Sequence, residues 1–362
     1  MENTNKKEVR LMKGNEALAE AAIRAGLHAY FGYPITPQSE ILEYFEEQAP
    51  KRGFTVLQAE SEVASINMIY GAAGAGARVM TSSSSPGVSL MQEGISYIAT
   101  AELPCLIVNI TRGGPGLGTI QPSQGDYFQS VKGGGHGDYK LFVLAPSSVQ
   151  EMADFVFDAF RVSEKYRIPA LILADGALGQ MMEKLTLPEE GSLPHVTPEW
   201  GTTGKTKDRE RNIITSLHIQ PEKMEAINHH LQAKYKAIEE AEVRYEEYFM
   251  EDAEIVFVAF GLSARICQKA VDIVREKGIK AGLIRPITLF PFPKQIISET
   301  ANRAVGFMVV EMNAGQMVED VQLAVNGKCP VYFKGRMGGM IPTPEEIAVA
   351  LEEKFIHHEE KV

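Results

Sequence analysis

Residues Leu57–Met91 read LQAESEVASINMIYGAAGAGARVMTSSSSPGVSLM, a stretch whose composition changes twice within 35 residues. A short apolar run turns acidic at Glu60, Ser61 and Glu62. A helix of very small residues follows, with Ala64, Gly71, Ala72, Ala73, Gly74 and Ala75. A second apolar run, Arg78–Met80, ends in Thr81-Ser82-Ser83-Ser84-Ser85-Pro86-Gly87. The pattern predicts strand, helix and strand, closing on a hydroxyl- and glycine-rich turn. In an open parallel sheet the carboxyl ends of the strands are where ligands sit. A helix this rich in Gly and Ala packs closely against a sheet or another helix. The carboxylate in its first turn, beside Val63 and Ile66, is the group of chemical interest.

A chain of 362 residues suffices for two domains with full cores. A net charge of −11 argues against nucleic acid, whose phosphates require clustered Lys and Arg. No run of about 18 apolar residues offers a membrane span. The start, MENTNKKEVRLMKGNEA, lacks the apolar centre of a signal peptide. Cys105, Cys267 and Cys329 stand far apart without a C-x-x-C, the usage of a reducing compartment. That usage excludes a cluster or Cys-type zinc site held by this chain alone. The expectation is a soluble, cytoplasmic, acidic protein without a metal site of its own.

The alternation extends in both directions. Residues 13–26 read as a helix with Asn15 as N-cap and Gly26 as stop, and His28–Phe31 as a strand. Tyr33-Pro34-Ile35-Thr36-Pro37 leads into a helix with Thr36 as N-cap and Pro37 at its first position. Helix 87–100, strand 105–110, strand 141–144, helix 147–165 and strand 170–174 complete an α/β unit. The first unit is assigned to residues 1–185. Residues 186–252 form a surface excursion, then one long polar helix over 221–248. A second, smaller alternating unit occupies 253–362.

Three groups of residues carry the chemistry. Glu62 opens the small-residue helix, where an acid also simply complements the helix dipole, by about 0.3–1 kcal/mol. Arg112 ends the strand Pro104–Thr111 and enters Gly113-Gly114-Pro115-Gly116, a position suited to a bidentate clamp on a carboxylate or to a surface ion pair. Gly116-Leu117-Gly118 does not continue as a dinucleotide fingerprint, since Ile120 and Gln121 stand where the third glycine belongs. The Ser82–Ser85 hydroxyls either bond a ligand or satisfy the turn. His136 and the His229-His230 pair read as solvated side chains.

Together, Tyr33–Pro37, Leu57–Met91 and Pro104-Cys105…Arg112 resemble the alpha chain of 2-oxoacid:ferredoxin oxidoreductases, and the resemblance covers nearly the whole chain. It implies a pyrimidine-type thiamine diphosphate-binding domain, followed by a transketolase-C-terminal-like domain matched by Phe260–Ser263, Arg285–Pro293 and Glu311–Asn313. In this family a carboxylic acid protonates N1′ of the aminopyrimidine, and a carboxyl in an apolar interface keeps its proton because burial disfavours its charged form. The resemblance gives that role to Glu62 rather than Glu60. It gives substrate binding to Thr36 and Arg112, and cofactor contact to Tyr33, Pro34, Ile35, Ser84 and Asp126. Other thiamine enzymes hold diphosphate and Mg²⁺ with Gly-Asp-Gly and a later Asn. Asp175-Gly176 is the nearest fragment, without the spaced Asn. A beta subunit is therefore expected to bring the diphosphate and Mg²⁺, and gamma and ferredoxin-like subunits the iron–sulfur clusters.

The implied reaction is coenzyme A-dependent oxidative decarboxylation of a 2-oxoacid with reduction of ferredoxin. Gly335–Pro342 and Phe31-Gly32-Tyr33 lean toward the branched-chain type, acting on 3-methyl-2-oxobutanoate, with the 2-oxoglutarate type as runner-up. A non-catalytic assembly scaffold, or a thiamine decarboxylase or synthase without ferredoxin, are the competing readings.

Overall fold

A computed structural model of the chain describes residues 8–355. The first unit runs β1 (Val9–Lys13), α1 (Gly14–Arg24), β2 (Ala29–Gly32), α2 (Ser39–Arg52), β3 (Thr55–Gln58), α3 (Glu62–Gly74), β4 (Val79–Ser83), α4 (Ser85–Thr100), β5 (Cys105–Thr111), α5 (Tyr127–Val131), β6 (Phe142–Leu144), α6 (Val149–Tyr166), β7 (Pro169–Asp175), α7 (Gly176–Gln180) and β8 (Met182–Thr186). The stretch 186–252 then carries α8 (Pro221–Ala241) and β9 (Tyr245–Tyr248), and the second unit runs β10 (Ile255–Val258), α9 (Gly261–Glu276), β11 (Ala281–Pro286), β12 (Thr288–Phe290), α10 (Lys294–Thr300), β13 (Gly306–Glu311), α11 (Met317–Val325), β14 (Val331–Gly335) and α12 (Pro344–Phe355).

The main sheet has the order β12-β6-β7-β5-β4-β2-β3. Its strands β3, β2, β4, β5, β7 and β6 are parallel, as continuous apolar runs such as Cys105–Thr111 and Pro169–Asp175, buried on both faces, require. The chain steps outward from β2 to β3, then returns past β2 to β4. That reversal is a topological switch point, and it opens a crevice above the carboxyl ends of β2 and β4. The second sheet, β14-β13-β10-β11-β9, is parallel except for β9. The fold is thus the expected α/β architecture of an open parallel sheet followed by a smaller α/β unit.

Several local expectations are corrected. The helix read over 221–248 ends at Ala241, and Tyr245–Tyr248 is an edge strand antiparallel to β11. Its buried stripe is Leu231, Tyr235 and Ile238, which suffices to seat one helix. Asn15 does not cap α1: it lies inside the helix, buried, and its Nδ2 donates to Pro37 O at 2.8 Å and Glu40 Oε2 at 2.9 Å. Thr36 does not cap α2, which begins at Ser39, and the Thr36–Pro37 peptide bond is cis. The backbone of residues 33–37 is held in a turn by the side chains of Asn15, Gln38 and Arg112 instead. The antiparallel pair β1–β8, which brings the two ends of the first unit together, has no counterpart in the expectation, since each strand is short and carries no continuous apolar run.

The two sheets are not independent bodies. β12 belongs in sequence to the second unit yet extends the first sheet antiparallel to β6. Gln124 is the polar hub between them. Its Nε2 donates to Phe260 O at 2.8 Å, its Oε1 accepts from Ser263 Oγ at 2.7 Å and Met312 N at 3.0 Å, and its backbone N–H donates to Met312 O at 2.9 Å. Buried Arg285 joins Glu151 of α6 to Glu246 of β9.

Candidate active site

The switch point gathers the stretches singled out in the sequence. Tyr33–Pro37 follows β2, Glu62 starts α3, Ser84 follows β4 and Arg112 follows β5.

Ser61 caps α3, accepting Ala64 N–H at 3.2 Å, which places Glu62 at the first helical position pointing inward. Glu62 is 6% exposed, whereas Glu60 is exposed, so geometry separates the two acids. The Glu62 carboxylate makes no hydrogen bond or ion pair among the described residues and lies over Gly87 in the first turn of α4. A Cβ at Gly87 would stand 2.6 Å from Glu62 Oε1 and 2.1 Å from Ser83 Oγ. Gly94, one face further along α4, admits Ile66 of α3, whose Cγ2 would lie 2.5 Å from a Cβ there. The small-residue helix packs closely, as expected, but partly through the glycines of its neighbour. Its own Val63, Asn67 and Gly71 face outward.

The hydroxyls of Ser83 and Ser84 are fully buried and unpartnered. Burying a hydroxyl without a partner costs about 1–3 kcal/mol, so these two at the end of β4, with Thr81 Oγ1 likewise unpartnered deeper in the strand, are candidate contacts for a polar ligand. Ser82 is different. It donates to Gln38 Oε1 at 2.6 Å, and Tyr30 OH donates to it at 2.7 Å, so the earlier ambiguity about Ser82–Ser85 resolves residue by residue. Gln38 Nε2 continues to Tyr33 O at 3.2 Å, tying the turn after β2 to β4. Burial raises the Tyr30 phenol above its usual range, which keeps it a donor.

Arg112 crosses the mouth. Nη1 donates to Thr36 O and Nη2 to Leu117 O, both at 2.9 Å, and its buried Nε has no partner. Thr36 and Arg112 are therefore neighbours, with Thr36 exposed on the rim. The loop 113–121 closes back through Gly113 N–H to Gln121 O and Thr119 N–H to Gly113 O, both at 2.8 Å. Gly118, at φ +60°, would carry a Cβ 1.8 Å from Gly113 O, so glycine is required there. Asp126 stands below this loop and accepts Asn109 Nδ2 at 2.9 Å. Burial raises its carboxyl, opposed by the Ser85 and Asn109 bonds.

Tyr33 and Ile35 are half-buried and Pro34 exposed at the same rim. His136 and His229 are exposed and away from Glu62's pocket. His230 pairs with Glu102 at 3.0 Å. Asp175 is spent as the cap of α7, accepting Ala177 and Leu178 N–H at 2.9 and 3.2 Å. Asn109, Gln38 and Tyr30 were missed by sequence reasoning. A buried polar residue at a strand's carboxyl end is their one sequence signal, and it is a faint one.

The residues present fit the aminopyrimidine half of thiamine diphosphate: a buried carboxyl without a partner, a glycine cradle beneath it, and two unpartnered buried hydroxyls. Comparisons with known proteins bear on the domain as a whole. The thiamine diphosphate-binding model of pyruvate flavodoxin/ferredoxin oxidoreductases matches residues 20–250, and that of pyruvate:ferredoxin oxidoreductase core domain II matches residues 253–347. The chain is 54% identical over 329 residues to the ketoisovalerate oxidoreductase subunit VorB of Methanothermobacter marburgensis, covering 91% of this chain and 93% of the relative. It is 38% identical to the 2-oxoglutarate synthase subunit KorA of Methanocaldococcus jannaschii, covering 95% and 99%. Among solved structures, the 2-oxoglutarate:ferredoxin oxidoreductase of Magnetococcus marinus superposes with a TM-score of 0.84 at 27% identity, over 96% of this chain. The match spans 65% of that longer chain. The chain belongs to the 2-oxoacid:ferredoxin oxidoreductase family, as an alpha subunit built on its thiamine diphosphate-binding domain.

Proposed function

We propose that this subunit serves a coenzyme A-dependent oxidoreductase that converts a branched-chain 2-oxoacid, 3-methyl-2-oxobutanoate, to acyl-CoA and CO₂ with reduction of ferredoxin. The observation that carries the reading is the Glu62 carboxyl, buried and unpartnered over Gly87 at the switch point. When bound, thiamine diphosphate supplies the electron sink that decarboxylation of a 2-oxoacid needs. Glu62 is the residue that would hold a proton at the aminopyrimidine, with Ser83, Ser84, Asp126 and the Tyr33-Pro34-Ile35 turn forming the walls of its pocket. Arg112 has N–H groups left over beyond its two carbonyl bonds, the unpartnered Nε among them, and these would grip the substrate carboxylate beside Thr36.

The substrate class is supported by the 54% identity to a ketoisovalerate oxidoreductase subunit, against 38% to a 2-oxoglutarate synthase subunit. It is also supported by chemistry, since a second substrate carboxylate needs a second cation beside Arg112. A beta subunit carrying Mg²⁺ and the diphosphate site would complete the pocket, because the Asp175 carboxylate is already committed to capping α7. The exposed apolar Val63, Leu90 and Leu117 lie around Glu62 and Arg112, where such a partner would cover them. Iron–sulfur clusters are assigned to gamma and ferredoxin-like subunits. Cys105 and Cys267 are buried apart from one another, and burial pushes the Cys105 thiol up to about 12.

The test is the complex purified through this chain, assayed for coenzyme A-dependent reduction of a low-potential dye with 3-methyl-2-oxobutanoate, 2-oxoglutarate and pyruvate. Preference for the branched acid supports the reading, and preference for 2-oxoglutarate replaces the substrate. Glu62→Gln keeps the shape without an acidic proton and is expected to abolish turnover in an intact complex. Retained turnover would overturn the catalytic reading in favour of a scaffold.

A further inference from the structure

Asn109 lies wholly buried near the end of β5, and both ends of its amide are used. Oδ1 accepts the backbone N–H of Ser85 at 3.0 Å, and Nδ2 donates to Asp126 Oδ2 at 2.9 Å. Ser85 in turn holds the backbone of Arg112: its Oγ accepts Arg112 N–H at 3.0 Å, and its one hydroxyl hydrogen is left to be shared between Arg112 O, at 3.3 Å, and the Asp126 carboxyl. On its far side Asp126 is bracketed by the second unit. Gln316, just before α11, donates Nε2 to Gly125 O and accepts Phe128 N–H with Oε1, both at 2.7 Å. Gln316 is itself anchored, since its backbone N–H donates to buried Glu311 at 3.2 Å.

We propose that Asn109 is a positioning residue for the Arg112 clamp, tying its backbone through Ser85 and Asp126 to the second unit so that the guanidinium meets the substrate carboxylate in register. The proposal rests on the reading of Arg112 as that clamp. The relay has a stringent chemical requirement: the side chain at position 109 must accept from an N–H on one side and donate to a carboxylate on the other. An amide does both in one protonation state. An aspartic acid of the same shape does both only while protonated, because two carboxylates at hydrogen-bond distance cannot both ionise without repulsion. Arg112 is sensitive to such a shift because its guanidinium already spans two loops, between Thr36 O and Leu117 O. A reacting group misplaced by about 1 Å costs on the order of 10²-fold.

The test uses the assembled complex and the dye assay, with Asn109→Ala, Asn109→Asp and Arg112→Lys. Asn109→Ala is expected to raise KM for the 2-oxoacid by about tenfold or more while KM for coenzyme A stays within about twofold. Asn109→Asp is expected to approach wild-type kcat/KM at acid pH and to lose it as pH rises, an alkaline limb that the parent lacks. A residue that merely capped α4 would lower stability without splitting the two KM values or adding that limb. Asn109→Ala with an unchanged 2-oxoacid KM, or an Asn109→Asp profile superimposable on wild type, overturns the proposal. The Lys variant separates the failures. If Arg112→Lys leaves the 2-oxoacid KM unchanged, the clamp reading falls and the proposal with it. If it raises KM and Asn109→Ala does not, the relay alone is wrong.

Discussion

Replacing Gly87 by alanine isolates the pocket under Glu62 from the stability of the fold. The backbone at Gly87 is ordinary helix, so the substitution brings no conformational strain, and an alanine in a helix gains roughly 0.5–1 kcal/mol over glycine. Against that gain, the new Cβ would stand 2.1 Å from Ser83 Oγ and 2.6 Å from Glu62 Oε1, far inside contact distance. Both atoms are the ends of side chains and can swing, so the overpacking costs about 1–3 kcal/mol and the net change in stability stays within about 2 kcal/mol. The two side chains that move are those assigned to the aminopyrimidine. Displacing the Glu62 carboxyl by about an ångström should cost 10²-fold or more in turnover, since proton transfer is lost with alignment. The measurement is thiamine diphosphate content and coenzyme A-dependent dye reduction of the Gly87→Ala complex, beside its thermal melt. A variant that melts within a few degrees of wild type and has lost turnover meets the expectation. A variant that folds, loads cofactor and turns over like wild type would refute the placement of the pyrimidine over Gly87.

Arg78 fastens the excursion after β8. It is fully buried, pairs its Nε–Nη2 edge bidentately with both carboxylate oxygens of Glu164 at 2.6 and 2.8 Å, and donates to Ala25, Leu193 and Pro194 carbonyls. Arg78→Met should cost about 3–5 kcal/mol and open new protease cleavage within 187–220. Unchanged proteolysis would show that the excursion is held elsewhere. Burial raises the Asp175 carboxyl from 3.8 to about 6, partly opposed by its bonds from Leu178 and Ala177. A raised folded value means its contribution is fully present below about 3.8 and is lost as pH climbs through about 6, on the order of 3 kcal/mol in all. Asp175→Asn keeps the cap acceptor without the charge, so its melting temperature should hold up between pH 4 and 6 where wild type declines. Parallel curves for the two proteins would contradict this. Gln124→Ala strands the Phe260 carbonyl and Met312 N–H between the two units, and should cost about 3 kcal/mol and speed hydrogen exchange over residues 122–128. A variant as protected as wild type would place the coupling elsewhere.

The alternation of apolar strands and amphipathic helices determined the α/β class, because a strand buried on both faces must be apolar throughout and the helices between must cover it. The hydroxyl- and glycine-rich ends of those strands pointed to the candidate site, and motif resemblance singled out Glu62, Thr36 and Arg112. Local sequence could not say that Asn15 leaves helix capping to hold Pro37, or that Tyr245–Tyr248 abandons a helical stripe for the edge of a sheet. Nor could it separate Ser82, engaged by Tyr30 and Gln38, from the free hydroxyls of Ser83 and Ser84. Those outcomes depend on which polar group meets which across positions distant in the chain. The strand order β3-β2-β4 is likewise long-range, and it alone brings Glu62 over Gly87 and Arg112 beside Thr36. Periodicity is a property of neighbouring residues and survives in one dimension. A catalytic pocket is made of the distances between strands, which only the packed chain sets.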